Sequence, residues 1–250
     1  PDHLARYDSM EHYARTKTSI FAGLGDDGLA LLDGEDEWTP RLRPEGRVEL
    51  AMTEGLNFID GQLRVGDAAF DRQMLHAAGR HNAKNALFAL RAALELGAPV
   101  EACARGLSTF EGLAHRMAFV TEHEGVAYYN DSKATNVASV LAGLKGFERP
   151  FVLIAGGQLK GEPLDELIAL VRDEGIALIA IGQDREQLRE AAGDTIRCDC
   201  LETLDEGFAR ARELAQPGHA VVLSPAGASW DQYPSFKARG EHFERLARSL

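Results

Sequence analysis

Positive charge is scarce in this sequence. Its 250 residues carry 27 Lys and Arg against 39 Asp and Glu, a formal net charge of −12. No basic run offsets the deficit, so nucleic acid and anionic membrane are poor partners. Any phosphate bound here must meet a few placed cations. Cysteine is nearly as scarce: Cys103, Cys198 and Cys200 only. An odd count with no repeated Cys-x-x-Cys argues against a disulfide framework and against structural zinc. Cys198 and Cys200 alternate along an expected strand, which suits packing rather than chemistry. No apolar run approaches the ~20 residues of a membrane span, and no signal peptide is visible. A reducing cytoplasm fits. The chain opens at Pro1 without Met, directly in motif-like sequence, so a fragment of a longer protein is the expectation. Its length suits one large domain or two small ones, and 45% apolar residues support a proper core.

Chemistry is densest at Asn130-Asp131-Ser132-Lys133-Ala134-Thr135-Asn136. An apolar run, Val126 to Tyr129, precedes it and reads as a buried strand. Val137, Val140, Leu141 and Leu144 follow at helical spacing. The stretch is therefore a strand-to-helix turn, where open α/β sheets bind ligands. The free amides of a helix start favour an anion, and Lys133 adds a full charge. A helix cap alone would need one of Ser132, Thr135 or Asn136, not all of them with an Asp and a Lys two apart.

From residue 126 onward, near-continuous apolar strands alternate with amphipathic helices. The strands are expected at 151–155, 176–181, 195–200 and 220–223. The helices are expected from Pro163 and over 184–192, 203–215 and 235–249. That pattern predicts a Rossmann-like α/β domain with a mainly parallel sheet covered on both faces. It does not make a dehydrogenase. In Gly-x-Gly-x-x-Gly register, the glycine that admits the pyrophosphate is replaced by Gln158. Nor is Ser229 a hydrolase nucleophile, for no Gly-x-Ser-x-Gly elbow or partner His is evident. Upstream, Ser9 is a plausible cap for a helix carrying Tyr13 and Lys17. Asp60-Gly61 between two apolar runs signals a hairpin, and residues 24–70 otherwise suggest short strands without chemistry. A helix follows Gly79-Arg80-His81-Asn82-Ala83-Lys84-Asn85 and ends at Gly97. Asn82 and Asn85, three apart, share its face. Residues 108–118 lose helical pattern and read as a linker.

Six motifs in order resemble the Mur ligase family, and within it the branch that adds D-glutamate. They are Asp2-His3-Leu4 with Ser9-Met10-Glu11 and Lys17; the Gly79–Asn85 run; Phe110 to Arg116; the Asn130–Asn136 turn; Gly156-Gly157 with Lys160-Gly161; and Ser224-Pro225-Ala226 through Phe236, Arg239 and Gly240. The resemblance implies the following roles. His3 and a carbamylated Lys17 hold magnesium, with Lys133 counted beside them as catalytic. Asn82, Asn85, Arg116 and Asp131 serve ATP. Thr135, Lys160, Ser229, Trp230 and Phe236 bind the amino-acid substrate. The chain departs from the family pattern at Ala118, Glu162-Pro163, Gly227 and Trp230.

The implied domains are the back part of an α/β central ATP-binding domain over 1–110 and a Rossmann-like amino-acid-binding domain over 111–250. The implied activity is an ATP-dependent acid–D-amino-acid ligase. It joins D-glutamate to UDP-N-acetylmuramoyl-L-alanine through an acyl phosphate, in peptidoglycan precursor synthesis, as a monomer. The family's N-terminal domain and Gly-x-x-Gly-Lys-Thr phosphate loop are not in these residues, so the 250 residues alone are expected to be inactive. Two alternatives stand. One is another Mur or folylpolyglutamate-type ligase. The other is a non-catalytic nucleotide- or amino-acid-binding module, should these residues be a whole natural protein.

Overall fold

The computed structural model describes residues 7–53, 55–75 and 80–250. The chain divides into two compact units, Pro1–Glu111 and Gly112–Leu250.

In the first unit, α1 (Met10–Thr18) starts where Ser9 caps it: the Ser9 hydroxyl accepts the His12 amide at 3.1 Å. Strands β1 (Leu29–Asp33) and β2 (Arg47–Ala51) pair in parallel. Strands β3 (Leu56–Ile59), β4 (Gln62–Val65) and β5 (Ala68–Asp71) form an antiparallel sheet. The β3–β4 hairpin turns at Asp60-Gly61, both left-handed at φ 51° and 73°, as such two-residue turns require. Helices α2 (Arg80–Glu95) and α3 (Val100–Thr109) close this unit. Leu87 and Leu90 of α2 bury against Leu56, Leu63, Val65 and Phe70 of the strands and Leu107 of α3.

The second unit is a six-stranded sheet. In chain order its strands are β6 (Ala118–His123), β7 (Val126–Asn130), β8 (Phe151–Gly156), β9 (Gly175–Ile181), β10 (Cys198–Leu201) and β11 (Ala220–Ala226). Their spatial order is β10-β9-β8-β11-β7-β6. All neighbours are parallel except β6, an antiparallel edge strand. Every residue of β8 and β11 is buried. Both faces must therefore be covered, which explains the apolar runs at 151–155 and 220–223. Helices α4 (Val137–Leu144), α5 (Asp165–Glu174) and α6 (Arg185–Ala192) cover one face through Leu144, Leu167 and Leu188 over Leu153, Leu178 and Val222. Helices α7 (Leu204–Leu214) and α8 (Phe236–Arg248) cover the other through Phe208 and Phe243 over Ile154, Ile179 and Val221. The half-buried Cys198 and Cys200 pack against the first of these layers. Burial pushes the Cys198 thiol up to about 12, so it is packing, not a nucleophile.

This layering places the site. The chain leaves β7 and β8 toward the first face but leaves β11, between them, toward the second. Adjacent strands whose helices diverge open a crevice at their carboxyl ends, the usual ligand position in such sheets.

Candidate functional site at the carboxyl edge of the second unit

Asn130 ends β7 and is fully buried. Its side-chain nitrogen lies 2.7 Å from Glu244 Oε1, 3.2 Å from the Gly240 carbonyl and 2.9 Å from His115 Nδ1. Its oxygen accepts the Ser132 amide at 3.0 Å. The fit leaves no room for a side chain at Gly240, where a Cβ would stand 2.3 Å from His115 Nδ1. Asp131 accepts the Ser224 hydroxyl at 2.6 Å and the Met117 amide at 3.1 Å. Burial pushes its carboxyl up to about 6, against the pull of Ser224, Met117 and Arg116. The segment around Arg116 is pinned here too. The Lys133 amide donates to the His115 carbonyl at 3.0 Å, and His115 and Met117 are both left-handed, at φ 64° and 45°. Two such non-glycine residues flanking an exposed Arg mark stored strain.

Lys133, expected to be catalytic, and Phe236, expected on the amino-acid side, meet: the ammonium sits 4.3 Å from the ring centroid. The Phe236 carbonyl accepts the Ser132 hydroxyl at 2.8 Å. Arg239, one turn along α8, is buried. Its guanidinium donates to the Ser132 hydroxyl and carbonyl and to the Gly227 carbonyl, each at 3.0 Å. Burial lowers it to about 10, with Asp231 and Tyr233 pulling back. It stays charged at neutral pH.

The glycine-rich turn after β8 is stitched to the turn after β11. Gln158 exchanges backbone hydrogen bonds with Ala228, at 2.9 and 2.8 Å, and Gly157 is left-handed at φ 96°. A Cβ on Gly157 would come within 2.3 Å of the Ala228 carbonyl oxygen. The Gln158 amide is thus spent on protein, which agrees with rejecting a dinucleotide loop. Next to Ala228, Ser229 is buried, and its hydroxyl has no hydrogen-bond partner. No base touches it, so it is not a hydrolase nucleophile. A buried orphan hydroxyl costs about 1–3 kcal/mol, a cost that a hydrogen-bonding ligand would offset. Trp230 beside it is 74% exposed. Thr135 is half-buried and Lys160 is exposed on its loop. These residues follow β7, β8 and β11, three adjacent strand ends.

Carboxylates and cations divide their work at this edge. Asp131 takes the Met117 amide, Asp184 that of Leu159, Asp231 that of Gln183 and Glu162 that of Val137. Among the described residues, none of Arg116, Lys133 and Arg239 has a carboxylate within ion-pair distance. In a chain of net charge −12, cations so placed can receive an anion.

The remaining expected residues lie elsewhere. Asn82 is half-buried and Asn85 exposed near the start of α2. Between them Lys84 reaches Asp33 at 2.7 Å and Glu35 at 3.1 Å, tying that helix start to the end of β1. Lys17 is exposed, its ammonium 5.3 Å from the Tyr13 ring centroid. His3 lies outside the described residues. Among the described residues no group of three His, Cys, Asp or Glu side chains is placed to hold a metal ion. The sequence reading missed Arg239, Asn130, Ser224, Glu162, Glu244 and Lys84 as working residues. For Arg239, the Arg-Gly pair one turn into an amphipathic helix was the available signal.

A mainly parallel sheet with loops and cations gathered at its carboxyl edge defines a Rossmann-like α/β unit with a candidate anion site. Known proteins narrow this. The model of the Mur ligase glutamate ligase domain matches residues 115–227, and that of the Mur ligase middle domain matches residues 1–93. A UDP-N-acetylmuramoylalanine--D-glutamate ligase of Salinibacter ruber is 36% identical over 268 residues, and one of Pseudomonas putida 38% over 268. Each alignment spans 100% of this chain and 58% of the relative's length. MurF from Acinetobacter baumannii superposes with a TM-score of 0.70 at 20% identity, over 99% of this chain and 58% of that one. Mycobacterium tuberculosis folylpolyglutamate synthase, complexed with ADP and AMPPCP, gives 0.73 at 19%, over 97% and 61%. At such identities these two show the fold alone. The chain belongs to the Mur ligase family, as its middle and C-terminal domains.

Proposed function

We propose that these residues form the nucleotide-side and amino-acid-side machinery of an ATP-dependent ligase. That ligase joins D-glutamate to UDP-N-acetylmuramoyl-L-alanine in peptidoglycan precursor synthesis. The names of the relatives and the glutamate ligase domain match support this substrate pair. The observation that carries it is the carboxyl edge of β7, β11 and β8. An orphan buried hydroxyl, with Arg116, Lys133 and Arg239 beyond ion-pair distance of any described carboxylate, suits a small dianion there. Lys160, Thr135 and Ser229 hold the D-glutamate carboxylates, with Lys133 propped by Phe236 beside them. Asp131, Arg116, Asn82 and Asn85 are the proposed ATP-side residues.

A carboxylate is a poor electrophile, so ATP activates it first as an acyl phosphate. The residues here position that anion and hold the amine for attack. His3 and a carbamylated Lys17 are the proposed magnesium holders, since a carbamate offers the oxygens a hard cation takes. The cell compartment proposed is the cytoplasm, and no described helix is long and apolar enough to cross a membrane.

Lys160→Ala is the test, in the protein at the full length of its relatives. Losing a charged hydrogen bond of about 1.5–3 kcal/mol should raise the KM for D-glutamate roughly tenfold or more. The KM for ATP should change less. ATP affinity lost with D-glutamate affinity kept would move Lys160 to the nucleotide and end this assignment.

A further inference from the structure

The sequence suggests an external anion at the start of α4. The structure puts one of the protein's own there. Glu162 Oε2 accepts the amide of Val137, the first residue of α4, at 2.7 Å. Asn136 takes the Ser139 amide at 2.8 Å, so the free helix-start donors are shared between a cap and a remote carboxylate. Glu162 arrives from the loop after β8, 25 residues along the chain. It stands two residues beyond Lys160.

The other side of Lys160 is pinned as well. The Leu159 amide donates to Asp184 Oδ2 at 2.8 Å, and Gln158 is bridged to Ala228. Between Lys160 and Glu162 the chain turns at Gly161, left-handed at φ 71°. Lys160 therefore rides on a short arch with both feet fixed by carboxylate-to-amide bonds. One foot stands beside Thr135, on the first turn of the helix that follows it.

We propose that Glu162 is a positioning residue for the amino-acid site. Its carboxylate, seated on the first amide of α4, fixes where the Lys160 ammonium stands relative to Thr135. The helix-start dipole and the Val137 amide absorb the Glu162 charge. Glu162 acts through Lys160 and touches no substrate. The inference rests on the reading of the acid site given above.

The test is a double-mutant cycle in the 250-residue chain, with D-glutamate titrated against the isotope-labelled protein and followed by amide NMR shifts. Glu162→Ala should weaken binding about three- to tenfold, the size of a lost helix cap expressed as affinity. Lys160→Ala should weaken it at least as much. The double variant should bind no more weakly than Lys160→Ala alone, because Glu162 has nothing left to place. Glu162→Gln keeps an oxygen acceptor for Val137 and should restore most of the affinity, which also separates the effect from loss of folding. Two effects that multiply in the double variant would overturn the proposal, as would unchanged binding in Glu162→Ala. Unchanged binding in Lys160→Ala, seen without touching Glu162, would remove the acid-site reading itself and this inference with it.

Discussion

Asp131 is a carboxylate that the fold would rather keep neutral. Burial raises it to about 6, from an ordinary value of 3.8. Because the folded value lies above the unfolded one, the fold binds more protons between these two points. Stability from this group is therefore full at low pH and falls as pH rises from about 4 through 6. A separation of that size corresponds to roughly 3 kcal/mol. Asp131→Asn should accordingly stabilise the chain at pH 7.5 by up to about 2–3 kcal/mol. The gain should shrink toward pH 4, as read by urea denaturation at each pH. An Asn offers an oxygen to the Met117 amide and donors to Ser224, so the packing survives. Ser229 poses the complementary case. Its hydroxyl has no partner to lose, so Ser229→Ala should change stability by less than about 1 kcal/mol, or raise it. D-Glutamate binding should fall all the same. A large loss of stability would mean that the hydroxyl is satisfied within the fold.

Elements rather than residues explain what could be read in advance. The strands of the second unit were legible because burial on both faces demands unbroken apolar runs. The Asn130–Asn136 turn was legible because its polar density exceeds what a cap needs; Asn136 does cap α4, and the rest of the turn does other work. Helix α5 begins at Asp165, two residues after Pro163, and β10 begins at Cys198 rather than 195. The antiparallel edge β6 and helix α3 were not foreseen: a short edge strand and a ten-residue helix carry little periodic signal. The partners of the turn were hidden for a different reason. Arg239, Ser224 and Glu244 meet it across 107, 93 and 114 residues of chain. Only the sheet order β8-β11-β7 brings them together, and no local pattern encodes that order. Arg239 shows what the arrangement is worth. It ties α8 to the turns after β7 and β11 with a planar fork that lysine cannot reproduce. Arg239→Lys should leave buried carbonyls at Ser132 or Gly227 unpaired and cost about 2–4 kcal/mol. That would show as a lower urea midpoint at an unchanged m-value.

At the scale of the whole molecule, the two units have separate cores. Among the described residues, the buried cluster of the first and the side chains packed against it fall between Leu31 and Leu107. Those of the second unit's two layers lie from Met117 onward, and its six strands pair, neighbour to neighbour, in one sheet. About 140 residues with a doubly covered sheet are enough for a self-sufficient domain. Every residue assigned to the amino-acid side, from Lys133 and Thr135 through Lys160 to Ser229, Trp230 and Phe236, lies in that unit. Residues 112–250 expressed alone should therefore unfold in one cooperative calorimetric transition, with calorimetric and van't Hoff enthalpies agreeing near 100 kcal/mol at about 60 °C. Their melting temperature should match the second-unit transition in the full 250 residues. The pattern of amide shifts on adding D-glutamate should be the same in both. A broad, non-cooperative transition in the shorter piece would show that residues 1–111 complete its core. Intact folding with the shift pattern lost would show instead that the first unit supplies part of the acid site.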